Sequence, residues 1–148
     1  MSAPKPESLE TDPRFPSGPW IGYYLQGRQR SRMEMRLTFG KGVMTGEGRD
    51  VIGRFSFRGR YSVEDGTCHW IKHYHGQHDV FYRGYDEGKG IWGVWEITMG
   101  AFSARGGFHI WPEGMAVDDA EVLAAEADLD DVVENTLDTT EPLLVPIR

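Results

Sequence analysis

Residues 68–97 read CHWIKHYHGQHDVFYRGYDEGKGIWGVWEI. Three alternating runs are separated here by His75-Gly76-Gln77 and by Glu87-Gly88-Lys89-Gly90. Alternation of this kind marks strands with one buried face, and glycine-rich clusters between such runs mark tight turns. The stretch holds four of the five histidines and three of the five tryptophans, so it looks at first like one reactive centre. Parity divides it. Successive side chains of a strand point to opposite faces. Cys68, Trp70, Lys72 and Tyr74 therefore share one face, and His69, His73 and His75 share the other. The apolar character of Trp70 and Tyr74 predicts that their face, with Lys72, points inward and that the histidines lie outside.

The same pattern extends in both directions. Upstream runs cover 20–28, 32–39, 43–49 and 53–62, and a last run covers 102–111. The run 32–39 is the cleanest, with Met33, Met35, Leu37 and Phe39 alternating against Arg32, Glu34, Arg36 and Thr38. Gly40-Lys41-Gly42 and Glu64-Asp65-Gly66 supply further turns. With runs 68–74, 79–85 and 91–98, the chain carries eight strands joined by short connections. An open sheet of that size would expose two edges and a whole apolar face. Closure removes both problems. The fold class read from the sequence is all-β, an eight-stranded antiparallel up-and-down barrel with a short helical, acidic C-terminal extension.

At 148 residues the chain is one domain with tails: a disordered segment 1–17, a barrel 18–111 and an extension 112–148. Residues 1–17 are polar and hold four prolines, which is poor material for a packed core. Residues 112–148 hold eleven Asp/Glu against Arg148 alone, a net charge of −10, while residues 1–111 carry +3. Such asymmetry marks an interaction or solubilising tail. Within the extension, 117–133 reads as a short helix, and 143–147 (Leu143, Leu144, Val145, Pro146, Ile147) as an apolar patch. The single cysteine, Cys68, excludes an intrachain disulfide. No stretch has the apolar length of a membrane-spanning helix or a secretory leader, so a cytoplasmic location and no membrane partner are expected.

Gly18-Pro19-Trp20 at the mouth of the first strand resembles the Gly-x-Trp of the calycins, the lipocalin and avidin group. The resemblance covers residues 18–111. It implies a barrel that holds a small ligand, with Trp20 packed at one end. It also implies a basic residue late in the chain over that Trp, for which Arg105 is the nearest match.

Three groups of residues carry candidate chemistry. The first is aromatic. Trp20, Tyr24, Tyr61, Trp70, Lys72, Tyr74, Tyr82 and Trp95 would line an interior pocket for a small apolar or aromatic ligand, or the rings would fill the barrel solidly. Lys72 in that lining would need a partner, with Glu47 and Glu96 as candidates, or would reach the barrel rim. The second group is a metal set of His73, His75 and His78, imidazole being a fitting ligand for Zn, Cu, Ni or Fe. Against it, the spacing matches no strong zinc pattern, and a solvated outer face accounts for these histidines as well. The third group is a basic exterior stripe of Arg32, Arg36, Arg54, Arg58 and Arg60. A body charge of only +3 argues against nucleic acid as its partner. A solvated face balanced by Glu34 accounts for the stripe as well, and a third option is that the acidic tail, in the same chain or in a dimer partner, lies over it.

No nucleophile elbow, phosphate loop or His-Glu-x-x-His motif is present, and no cofactor is implied. The chain reads as a binding protein rather than an enzyme. Its leading function is non-enzymatic binding of a small apolar ligand inside the barrel. The alternative is a protein-interaction module that uses the basic stripe or the C-terminal patch, including a homodimer through the tail. An enzyme or metal protein built on Lys72, Tyr74 and the histidines comes third. The ligand reading requires space inside the barrel; the interaction reading requires an exposed apolar patch.

Overall fold

A computed structural model describes residues 8–115. Eight strands run β1 (Gly18–Gln26), β2 (Gln29–Gly40), β3 (Val43–Asp50), β4 (Arg54–Tyr61), β5 (Thr67–Tyr74), β6 (Asp79–Asp86), β7 (Ile91–Met99) and β8 (Phe102–Pro112). Each pairs antiparallel with its sequence neighbour, and β1 pairs with β8 to close the barrel. Closure uses the register Trp20↔Pro112 through Tyr24↔Phe108. No helix among the described residues is long and apolar enough to cross a membrane. The proposed helix 117–133 and the patch 143–147 lie outside the described residues.

Period-two alternation sets the core. On β2, Met33, Met35, Leu37 and Phe39 are buried while Arg32 and Arg36 are exposed. On β5, Cys68, Trp70, Lys72 and Tyr74 are buried and His69, Ile71 and His73 are exposed, so the expected face points inward. The arginines of the expected stripe, Arg32, Arg36, Arg54, Arg58 and Arg60, all face solvent. Gly59 shows why glycine sits within a strand here. It opposes Trp70, and a Cβ on it would meet the His69 carbonyl oxygen at 2.0 Å and the Trp70 Cα at 2.5 Å. The close approach of backbone to backbone leaves no room for a side chain.

Residues 8–17 do not lie free, contrary to the expectation of a disordered 1–17. They close one end of the barrel. Phe15 is wholly buried, with ring centroids 5.5 Å from Phe39 and 4.9 Å from Tyr61. Glu10 accepts a 2.6 Å hydrogen bond from the Tyr61 hydroxyl, and its own amide donates to the Phe39 carbonyl at 2.9 Å. The polar, proline-rich composition concealed a single large anchor. One phenyl ring buried in a ready socket, with backbone hydrogen bonds beside it, offsets the ordering of a short segment.

The same end holds Trp20, whose indole N–H donates to the Pro16 carbonyl at 2.9 Å. Arg105 does not cover it. Arg105 opposes Glu96 near the far end of β8, whereas Trp20 pairs with Pro112. The tryptophan is capped by the N-terminal segment instead.

Candidate functional site

Lys72 stands two residues before the end of β5 with its side chain fully shut off from solvent. Its Nζ donates to Asp50 Oδ2 at 2.6 Å, with the Tyr82 hydroxyl at 3.4 Å and the Met33 sulfur at 3.7 Å. The ammonium also lies 4.4 Å from the Phe55 ring centroid and 4.7 Å from those of Tyr24 and Tyr74. Neither expected partner serves it. Glu47 faces outward, and Glu96 lies outside the wall, 3.8 Å from Arg83. The lysine does not reach the rim either. Asp50 reaches in because it closes β3 with the inward parity of Met44, and its side chain is fully buried. Its Oδ2 also accepts from the Tyr74 hydroxyl at 2.6 Å, and its Oδ1 accepts from the amides of Ile52 (2.9 Å) and Gly53 (3.3 Å). The carboxylate thus ties the β3–β4 turn to the barrel interior. Burial pushes the Lys72 amine down to about 8, against the opposing pull of Asp50. Burial likewise pushes the Tyr74 and Tyr82 hydroxyls up.

The structure brings Tyr24, Lys72, Tyr74 and Tyr82 together around this pair. Trp70 and Trp95 adjoin them. Trp70 stacks on Tyr82 at 5.2 Å and 11°, and Trp95 meets Tyr24 edge-on at 6.3 Å while its indole N–H donates to the Leu25 carbonyl. Trp20 and Tyr61 sit at the opposite end, against Phe39 and Phe15. Phe57 and Phe108 each contact both Trp70 and Tyr82. Ile52, Met99 and Phe102 pack on this core from the turns at the Lys72 end.

The three candidate metal ligands do not converge. His73 is exposed and its Nδ1 lies 2.5 Å from Asp79 Oδ1. His75 is exposed in the β5–β6 turn. His78 folds in against the Tyr74 ring, 5.3 Å between centroids, and burial lowers its pKa. Among the described residues no three His, Cys, Asp or Glu side chains stand together as a metal site.

Among the described residues, two concavities on the outer wall stand out. One, of about 450 Å³, crosses β1–β4 and mixes signs; there Arg49 is paired with Glu34 at 2.8 Å. The other, of about 680 Å³, crosses β3–β7. Two rows of outward side chains build it. Strand register aligns Val43, Arg60, His69 and Arg83 in one row, and Thr45, Arg58, Ile71, Phe81 and Glu96 in the next. Val43, Ile71 and Phe81 are 41%, 39% and 47% exposed, which makes them the apolar floor of a groove edged by three arginines. Sequence reasoning placed Arg58 and Arg60 on the exterior but missed Ile71 and Phe81. The signal was available in parity: Ile71 lies between His69 and His73, and Phe81 lies between Asp79 and Arg83. No family profile, no curated protein and no solved structure matches this chain.

Proposed function

We propose that this protein is a non-enzymatic binding module whose working surface is the outer groove across β3–β7. Its partner is an acidic protein segment that carries apolar side chains. The observation that carries this reading is the row Arg58, Ile71, Phe81 beside the row Arg60, His69, Arg83. The exposed Ile71 and Phe81 can bury apolar side chains of a partner at about 25 cal/mol per Å² of apolar surface. The flanking guanidiniums can take carboxylates in paired hydrogen bonds. Glu96 offsets one of the three arginines, so the face is basic without being a phosphate track. Phe81 is the one exposed aromatic ring of the groove, whereas single-stranded nucleic acid is held by a series of stacking rings.

A small ligand inside the barrel is the rival reading, with Tyr24, Trp70, Tyr74 and Tyr82 around Lys72 as its lining. The experiment is a binding titration of fluorescent acidic-apolar peptides and of single-stranded oligonucleotides against the full chain, with Phe81→Ala and Arg58→Glu as probes. Peptide binding lost in both variants supports the reading. Oligonucleotide binding without peptide binding overturns it. So does a small-molecule adduct in native mass spectrometry that survives Phe81→Ala, because that result returns the ligand to the interior.

A further inference from the structure

The groove across β3–β7 differs from the other concavity of the outer wall in the balance of its charges. Glu34, Glu47 and Glu113 stand among the arginines of the smaller one, and Glu34 holds Arg49 at 2.8 Å. Among the described residues, the larger one is lined by Arg58, Arg60, His69 and Arg83, with Glu96 as its single acid. Register explains the grouping. Arg60 on β4 and Arg83 on β6 oppose His69 on β5 from its two sides. Val43 and Val94 continue the row beyond them, so no acid enters it. Arg58 lies two residues from Arg60, on the same face of β4. Neighbouring strands are ~4.8 Å apart, which places the backbones of Arg60 and Arg83 about 10 Å from each other across His69. Glu96 approaches Arg83 only at 3.8 Å. Among the described residues no ion pair or hydrogen bond engages the side chains of Arg58, Arg60 or His69. Neighbouring like charges on one sheet face lower stability, so the barrel gains nothing from this arrangement on its own.

We infer that Arg60, His69 and Arg83 form a subsite for one phosphomonoester group, carried by a phosphorylated residue of the peptide that occupies the groove. The inference rests on the reading of the groove as a peptide site and names the acid it takes. Charge and donor number select phosphate over carboxylate. A carboxylate brings one negative charge and two oxygens. A phosphorylated side chain brings a charge of about −1.5 to −2 at neutral pH and three strong acceptor oxygens. Two guanidinium forks and an imidazole N–H, from three adjacent strands, supply donors for all three oxygens, and Arg58 adds a further positive charge beside them. The apolar floor lies one step along the same strands. Ile71 follows His69 by two residues on β5, and Phe81 precedes Arg83 by two on β6. An apolar residue next to the phosphorylated one therefore meets Ile71 and Phe81, both exposed. The basic groups gather around His69, and Glu96 stands past Phe81 in the next row. That distribution suits a single phosphate within a peptide and not the regularly repeated phosphates of a nucleic acid strand.

Fluorescence anisotropy of the full chain with three matched peptides tests it. The peptides share leucines around one variable position, filled by serine, glutamate or phosphoserine. The phosphoserine peptide should bind about tenfold tighter than the glutamate peptide. Arg60→Gln and Arg83→Gln, both at exposed positions, should each erase most of that preference. Equal affinity for the glutamate and phosphoserine peptides overturns the phosphate subsite while leaving the groove as an acidic-peptide site. A preference that survives both substitutions also overturns it, since the phosphate would then sit elsewhere. Failure of all three peptides to bind overturns the subsite together with the peptide reading of the groove. Tighter binding of an oligothymidylate than of the phosphoserine peptide overturns it in favour of nucleic acid.

Discussion

Lys72 Nζ and Asp50 Oδ2 lie 2.6 Å apart with both side chains wholly removed from solvent, in a barrel interior rich in aromatic and aliphatic side chains. Two buried charges are costly unless they are paired and their remaining hydrogen-bonding capacity is met. Here Tyr74 and the amides of Ile52 and Gly53 complete the shell of Asp50. Removing one partner leaves the other charged and alone, so Asp50→Asn or Lys72→Met should each cost about 3–5 kcal/mol. The paired variant Asp50→Asn with Lys72→Met should cost much less than the two singles together. A urea-denaturation double-mutant cycle measures this coupling, and additive single effects would rule out a buried pair.

The pH dependence of the same pair has a definite sign. Burial lowers the Lys72 amine to about 8 in the folded chain, while an unfolded lysine titrates near ~10.4. Between those values the unfolded chain binds more protons, so stability rises with pH. Below pH 8 both states are protonated and the full cost of burying the charge is present. Above about pH 10 the buried tyrosines act in the opposite direction, because their raised pKa values keep the protons on in the fold. The useful window is therefore pH 8 to about 9.5. There the stability of the natural chain, measured against the doubly substituted one by urea midpoint, should increase. A flat difference would mean that Lys72 keeps its proton throughout.

The barrel was legible because parity is a local property. Each run shows its own buried face, and all eight were found within a few residues of their bounds. The inward face of β5 followed from the same reasoning, as did the exposed arginines. Long-range identity was not legible. Asp50 pairs with Lys72 across 22 positions, and its role depends on β3 running one residue past its last arginine, Arg49. Nor does parity show whether rings line a space or fill it, since that depends on how far the strands coil and which rings meet across the barrel. The N-terminal closure was hidden for another reason. Its one fully buried side chain is Phe15, and composition averages one ring away.

That closure should be energetically substantial. Phe15 is completely buried between Phe39 and Tyr61, so Phe15→Ala removes a ring from a packed site and leaves a void. The expected loss is about 3–5 kcal/mol. Proteolytic sensitivity of the 8–17 segment should rise with it. Loss below ~1 kcal/mol, measured by thermal or urea unfolding, would mean that the segment only rests on the barrel.

Asp86 sits beneath the same segment and titrates in the opposite sense to most acids. Its Oδ1 accepts from the Gly88 amide at 2.7 Å, and Arg14 reaches its backbone carbonyl at 3.5 Å without contacting the carboxylate. Burial raises its carboxyl to about 6, outweighing the Gly88 hydrogen bond and the Arg14 charge. In the unfolded chain an aspartate titrates near ~3.9. The folded chain therefore binds the extra proton between those values, and stability contributed by protonated Asp86 is lost as pH rises through 6. Asp86→Asn keeps an acceptor for Gly88 and removes the charge. The variant should match the natural chain near pH 4 and exceed it at pH 7.5 by something on the order of 1–3 kcal/mol. Urea unfolding at the two pH values decides the matter. An equal difference at both would place the charge in solvent, and a variant less stable at pH 7.5 would mean that the Arg14 guanidinium stabilises the carboxylate after all.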